Sequence, residues 1–276
     1  MTGTLLLCAT PIGNLSDSTA RLASALASAS VVYAEDTRRV RTLLQHLGVE
    51  ATVRSYFVGN EAERSGELQE HLAAGETVAL VTDAGTPSVA DPGVTAVRAA
   101  VEVGATVSGV PGPSAVTLAL ALSGESADRF VFEGFLPRKG KERKERIAGL
   151  ATEVRTTVLF CAPSRLASDL ADIAAVAATR RCVVCREMTK FHEETWRGTV
   201  EEGARHWAER TVKGEVTVVI GGGEMVVPSL DEAIGLTLRL IESGESVSAA
   251  VRSVAETTGV SRRVLYEAVI DRRSDD

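Results

Sequence analysis

The sequence predicts an α/β chain: a mostly parallel, helix-covered sheet, then a second α/β unit with a mixed sheet, then a small all-helical tail. Three observations predict this. Apolar strand-like runs alternate with Ala-rich helix-like stretches as far as Ser123, the signature of successive βα units. Two extended runs, Val183 to Met188 and Glu194 to Val200, then follow each other with no helix between them and read as an antiparallel pair. From about Ser229 onward only helical periodicity is left.

In the first unit, strands are expected near 4–9, 30–34, 52–56, 77–82 and 105–109, where Val, Leu and Ile cluster between turn residues. Helices are expected between them, near 18–28, 37–47, 61–74, 92–103 and 113–123. The polar, turn-like stretch Ser123-Gly-Glu-Ser-Ala-Asp128 marks a boundary, giving units at 1–124, 125–226 and 227–276. The second unit carries strands near 130–134, 156–161, 181–188, 194–199 and 215–220, with helices near 142–152, 164–178 and 200–210. The tail holds helices at 231–243, 247–258 and 261–271. The last two read as a helix-turn-helix, with Gly259 at the turn, Ser261 as cap and Arg262 and Arg263 at the start of the second helix. A small bundle without a nucleic-acid role is the alternative.

With 276 residues and 45% hydrophobic content the chain can bury one large core or two moderate ones. Aromatics are only 4% of the chain, so small residues must pack helix on sheet. The formal net charge of -7 and pI near 5.3 exclude bulk electrostatic attraction to nucleic acid. Basic residues are nevertheless gathered locally, in 137–146, at Arg38-Arg-Val-Arg41, at Arg262-Arg263 and at Arg272-Arg273. Each could be a solvated helix face; the 137–146 run, broken by Pro and Gly, is the best candidate for touching phosphate. No stretch is long enough to span a membrane, and Leu5-Leu-Leu-Cys8 reads as the first strand of a cytoplasmic protein rather than a lipoprotein signal. Cys182-Val-Val-Cys185 has the spacing of a metal knuckle but no second pair. Residues three apart on a strand face opposite ways, so no metal site is expected and the cysteines are read as buried thiols.

The chemistry concentrates where strands stop. The run Leu80-Val-Thr-Asp-Ala-Gly-Thr-Pro-Ser-Val-Ala-Asp-Pro-Gly93 places a carboxylate and bare backbone at the end of a buried strand. Thr10-Pro-Ile-Gly-Asn14 and Pro111-Gly-Pro-Ser-Ala115 end two further apolar runs in the same way. Three such ends converging on one crevice form the usual ligand site of an open α/β sheet. No Gly-x-Gly-x-x-Gly follows a strand, and Gly134-Phe-Leu-Pro-Arg-Lys-Gly-Lys141 misses a P-loop by one inserted residue, with Glu142 where a hydroxyl should stand. The crevice therefore suits a small-molecule cofactor that lacks phosphate.

Ala9-Thr-Pro-Ile-Gly-Asn-Leu15, Ala34-Glu-Asp-Thr-Arg38, Val81-Thr-Asp-Ala-Gly-Thr-Pro87, Pro111-Gly-Pro-Ser-Ala115, Phe132-Glu-Gly-Phe-Leu-Pro137 and Arg186-Glu-Met-Thr-Lys-Phe-His-Glu-Glu194 occur in that order. Together they resemble the ribosomal RNA small subunit methyltransferase I family of the tetrapyrrole methylase superfamily, over roughly residues 4 to 222. The resemblance implies a tetrapyrrole-methylase-like fold, a homodimer, and S-adenosylmethionine bound in the cleft between the two α/β units. It also implies methyl transfer to the ribose 2′-hydroxyl of a cytidine in the decoding region of 16S rRNA, within the 30S subunit. Two stretches depart from the family pattern. Ser55-Tyr-Phe-Val-Gly-Asn-Glu61 lacks the usual histidines, and Cys161-Ala-Pro-Ser-Arg165 replaces Glu-x-Pro-His-Arg, while Asn60, Glu61 and Arg165 persist.

On that footing the cofactor is expected at Asp83, Ala84, Gly85 and Thr86, at Ser114 and Ala115, and between Pro11 on one side and Cys161 and Ala162 on the other. Ser114 could equally cap a helix. A ribose hydroxyl must lose a proton, so a base within reach helps. Lys190, Glu35 and His192 are the catalytic candidates, with Asp36 and Glu193 beside them. Lys190 can be a base only if its pKa is lowered; otherwise it orients the hydroxyl or a phosphate. Glu35-Asp36 with Arg38 could also be an ion-paired helix start, and His192 a surface residue. RNA contacts are expected at Asn14, Asp36, Arg38, Arg138, Lys139, Lys141 and Glu193. The rival readings are a same-fold enzyme acting on a corrinoid or porphyrin precursor, and a non-catalytic ribosome-binding module.

Overall fold

Five short apolar strands, β1 (Thr4–Cys8), β2 (Val31–Ala34), β3 (Val53–Ser55), β4 (Thr77–Val81) and β5 (Thr106–Val110), align in parallel in the order β3-β2-β4-β1-β5. Helices α1 (Ala20–Ser28) and α2 (Thr37–Leu47) follow β1 and β2; α3 (Glu61–Ala73) and α4 (Val94–Glu102) follow β3 and β4. Strand residues alternate between faces, so the sheet has two cores. Val32, Ala34, Ala79 and Val81 meet Leu22, Leu26, Val40 and Leu43 on one face. Val31, Tyr33, Val78 and Leu80 meet Leu68, Leu72, Ala96 and Ala100 on the other. The central strand β4 therefore sends its chain to one face, while its neighbours β1 and β2 send theirs to the other. Such divergence opens a crevice at the carboxyl ends of the strands.

Helix α5 (Ala115–Ser123) leads to a second sheet built of β6 (Phe130–Phe135), β7 (Thr156–Cys161), β8 (Arg181–Arg186), β9 (Glu194–Thr199) and β10 (Val216–Ile220). Its order is β6-β7-β10-β8-β9, with β6 and β7 parallel and the rest antiparallel, the mixed sheet that the sequence predicts. The α-helices α6 (Lys141–Leu150), α7 (Leu166–Ala177) and α8 (Val200–Ala208) lie between these strands in the chain and cover one face, and α5 packs on the other. Cys182 belongs to the first of those cores and Cys185 to the second. Burial pushes the Cys182 thiol up to about 12.

Residues 2–223 and 229–274 are described by this computed structural model. Both sheets belong to one compact unit, Met1–Gly223, and Glu224–Asp276 forms a second. The division expected at 124 falls between the two sheets of that first unit; the one expected at 226 lies outside the described residues. In the second unit α9 (Leu230–Glu242), α10 (Val247–Thr258) and α11 (Arg262–Ser274) bury Ala233, Ile234, Val251, Val254, Leu265 and Val269. Ser229 and Glu232 form a capping box for α9, and Gly259, at φ 75°, ends α10. Three expected boundaries shift for backbone reasons. Helix α4 starts after Gly93, whose φ of 146° is not helical, α5 starts after the extended Ser114, and β8 stops at Arg186 because Glu187 turns at φ 52°.

Candidate active site

The loops after β1, β4 and β5 are tied together by their own backbone. Thr10 N–H donates to the Gly85 carbonyl at 2.9 Å and Gly85 N–H to the Thr10 carbonyl at 3.0 Å. Ala9 N–H donates to the Val110 carbonyl, and Gly112 lies so close to Ala9 that an added Cβ would sit 3.0 Å from the Ala9 Cβ. Beyond Gly85 the chain makes a tight reversal with Ser88 at φ 72° and Ala90 at φ 63°, sparsely populated conformations for residues with a Cβ. Glu61, at the start of α3, accepts the Gly93 N–H and braces the far end of the reversal. Asn60 accepts the Phe57 N–H and donates to Ser55. Two residues of the departing 55–61 stretch thus hold loops in place.

A cavity of about 340 Å³ opens between these loops and the second sheet. Ile12, Asp83 to Thr86, Ser114 and Ala115 line it from the first sheet, and Phe135, Phe160, Cys161 and Val216 from the second. Four carboxylates line it: Glu35 after β2, Asp83 and Asp91 after β4, and Glu215 just before β10. Asp83 is engaged, accepting the Asp36 N–H at 3.0 Å and pairing with Arg39 at 3.5 Å. Asp91 is pushed up to about 6, first by burial and then by Glu35 and Asp83. Glu35 is also raised, by burial and then by Asp83. The wall at Cys161 is stiffened from behind. Its Sγ lies 3.3 Å from Asp169 Oδ2, and the buried Asp169 pairs with both Arg143 and Arg165 at 2.9 Å.

A second cavity of about 380 Å³ adjoins the first, lined by Thr10 to Gly13, Leu15, Val40, Leu43 and Lys190. Ile12, Arg39, Asp83, Ala84 and Glu215 line both. Lys190 lies over Gly13, where an added Cβ would fall 2.6 Å from the Lys190 Cγ; Gly13 itself has φ 154°. The ammonium donates to Glu187 at 2.7 Å and pairs with Glu215 at 3.1 Å. Burial alone would lower the Lys190 pKa, but these two carboxylates outweigh it and raise it. Lys190 is held as a cation, so the condition for its acting as a base is not met.

Of the residues expected at a cofactor, Asp83, Ala84, Gly85, Thr86, Ser114, Ala115, Cys161 and Ala162 all line the first cavity, and Pro11 lines the second. Gly85 offers bare surface rather than hydrogen bonds, since its N–H and carbonyl are taken by Thr10. Ser114 caps α5 by position only, with no capping hydrogen bond from its side chain. Of the catalytic candidates, Glu35 faces the first cavity and Lys190 the second. His192 is exposed beside Phe191, with ring centroids 5.0 Å apart, and lines neither.

The residues expected at RNA lie outside both cavities. Asn14 caps the 3-10 turn Leu15–Asp17, and Glu193 accepts the Thr189 N–H. Asp36 caps α2 and pairs with Arg38 at 2.6 Å, the ion-paired helix start left open above. Arg138, Lys139 and Lys141 are exposed between β6 and the first turn of α6. Sequence reasoning missed Arg39, Asp91 and Glu215. Asp91 stands in a conspicuous Asp-Pro-Gly turn, but Glu215 precedes an ordinary strand and carries no local signal.

Residues 4–204 match the family described as Tetrapyrrole (Corrin/Porphyrin) Methylases. A Ribosomal RNA small subunit methyltransferase I of Mycobacterium bovis is 44% identical over 99% of this chain and 96% of its own length. That of Synechocystis is 42% identical over 99% of each chain. That of Thermotoga maritima is 42% identical over 80% of this chain and 100% of its own. Among solved structures, a uroporphyrin-III C-methyltransferase of Thermus thermophilus in complex with S-adenosyl homocysteine has a TM-score of 0.58 at 20% identity, covering 79% of this chain and 97% of that one. A diphthine synthase reaches 0.62 at 18%, covering 79% and 89%. Fold, near-full-length identity and a crevice at the strand ends agree: the chain belongs to the ribosomal RNA small subunit methyltransferase I family of tetrapyrrole methylases.

Proposed function

We propose that the chain is an S-adenosylmethionine-dependent methyltransferase that 2′-O-methylates a cytidine ribose in the decoding region of 16S rRNA. The observation that carries this reading is the pair of adjoining cavities, one walled by carboxylates and apolar side chains, the other lying under a fixed cation. The residues of the first cavity fit the methyl donor chemically. Glu35, Asp83 and Asp91 suit its positive charge and sugar hydroxyls, while Phe135, Phe160, Ala115 and Val116 offer an apolar wall to its base. When bound, the donor supplies an activated methyl group for in-line displacement.

The protein's own part is alignment and charge. Residues shared by the two cavities bring donor and acceptor to one junction, and the backbone ties among the loops fix that junction in advance. Lys190, charged and immobilised by two carboxylates, stabilises the acceptor oxygen as it becomes negative. Glu35 stands on the donor side, Pro11 on the acceptor side, and Asp83 and Ala84 of the Asp83–Thr86 loop at the junction. The substrate is met as a shaped surface of the 30S subunit, which lets an acidic cytoplasmic chain act on RNA through local basic segments. A homodimer is the expected assembly.

The test is transfer of labelled methyl from S-adenosylmethionine to undermethylated 30S subunits and, separately, to bare 16S rRNA, followed by nuclease digestion and mass mapping. Label on a decoding-region cytidine ribose is the expected result. Donor binding without transfer to either RNA would overturn the substrate assignment.

A further inference from the structure

Resting on that reading, we propose that Glu215 is the general base that takes the acceptor hydroxyl's proton, with Lys190 holding the oxygen and Glu187 positioning Lys190. Two carboxylates, Asp83 and Glu215, line both cavities and so stand where acceptor and donor must meet. Asp83 is committed to the Asp36 N–H and to Arg39. Among the described residues Glu215 has one ion-pair partner, Lys190 at 3.1 Å, and its side chain keeps 61% of its surface exposed.

The frame around Glu215 is rigid. Its N–H donates to Glu187 Oε1 and its carbonyl accepts the Glu187 N–H, both at 2.9 Å. The same Glu187 oxygen accepts from Lys190 at 2.7 Å. Glu187 stands at φ 52° beside Gly214 at φ 87°, where an added Cβ would lie 2.3 Å from the Glu187 carboxylate. Glu187 thus keeps a conformation uncommon for a residue with a Cβ, and Gly214 leaves room for its carboxylate, so that both carboxylates reach the Lys190 ammonium. The other candidate groups are placed less well. Glu35 lines only the first cavity, Glu193 is occupied by the Thr189 N–H, and His192 lines neither cavity.

The step balances without a co-reactant. The acceptor O–H bond breaks and its proton passes to a Glu215 oxygen, while an oxygen electron pair forms the new O–C bond. The carbon–sulfur pair returns to sulfur, which loses its positive charge, and Glu215 sheds the proton to solvent through its exposed side.

The experiment measures single-turnover methyl transfer to undermethylated 30S subunits across pH, with donor affinity measured separately by calorimetry. E215Q should lower the transfer rate about 100-fold or more at every pH tested, a far larger change than in donor Kd. Formate should restore part of the rate to E215A, which a merely structural loss would not permit; its melting temperature checks folding independently. A rate for E215Q within threefold of the unmodified chain, or no rescue of a folded E215A, would overturn the proposal alone. An unmodified chain that transfers no label overturns the functional reading, and this proposal with it.

Discussion

At the scale of single residues, the site holds its charges in opposite ways. Asp91 is raised to about 6 from an ordinary 3.8, so its ionised form is disfavoured in the fold. The stability linked to this group is fully present below about pH 4 and is lost as pH rises through about 6. Asp91→Asn should therefore stabilise the donor-free chain at pH 7. Discounted for solvent screening, the gain is about 1 kcal/mol, or about 2–4 °C in Tm for a chain of this size. It should vanish near pH 4 in thermal melts; an equal difference at both pH values would contradict the placement of Asp91. Lys190 is the converse case, kept charged by Glu187 and Glu215. Lys190→Met should slow transfer by about 100-fold or more yet leave donor Kd within about threefold, because Lys190 lines the second cavity and not the first. A donor affinity that falls in step with the rate would place Lys190 on the donor instead.

Elements matter here mainly through how they end. Helix α4 is preceded by its cap Gly93, whose φ of 146° and tight surroundings, with an added Cβ 2.5 Å from Ser88 Oγ, leave no room for a side chain. Gly93→Ala should cost about 1–3 kcal/mol and weaken donor binding, since the strained reversal ending at Gly93 carries Val89, Ala90 and Asp91 into the cavity. Equilibrium unfolding and calorimetry on one preparation check both effects. The same logic explains what the sequence discloses. Strands and helices are legible because apolar periodicity and the Thr10-Pro, Asp83-Ala-Gly and Pro111-Gly signals are local, and the same signals pick out eight residues that line the first cavity. Charge pairing across the fold is not local. Nothing near Arg143 in the chain shows that it is 7% exposed and bound to Asp169 and Asp172, and nothing near Glu215 shows that it faces Lys190. The 137–146 run likewise reads as one basic loop, yet Arg146 turns inward to Glu133.

For the whole molecule, a net charge of -7 has to be reconciled with an RNA substrate. Once Arg143 and Arg146 are subtracted, the cations left exposed on the segment beside the second sheet are Arg138, Lys139, Lys141 and Lys144. If that segment meets phosphate, R138A/K139A/K141A should weaken 30S binding and flatten its salt dependence. Each single-strand phosphate contact contributes about 0.7 to the slope of log K against log salt, so losing three should reduce it by about 2. Donor affinity should not change, because none of the three lines either cavity. Arg143→Ala should behave differently, destabilising the chain by about 1–3 kcal/mol, since the buried Asp169 loses one of its two arginines and keeps Arg165, while Asp172 is half-exposed. Binding measured between 50 and 200 mM salt separates the outcomes. An unchanged slope in the triple variant would move the RNA contact elsewhere, and the exposed Arg262 and Arg263 of the helical unit would be the next pair to replace. The Thermotoga relative, whose whole length matches only four-fifths of this chain, makes that second outcome informative. A family member can lack about a fifth of this sequence, a share as large as that of Glu224–Asp276; if that is the part it lacks, an RNA contact there is an addition to the fold rather than its foundation.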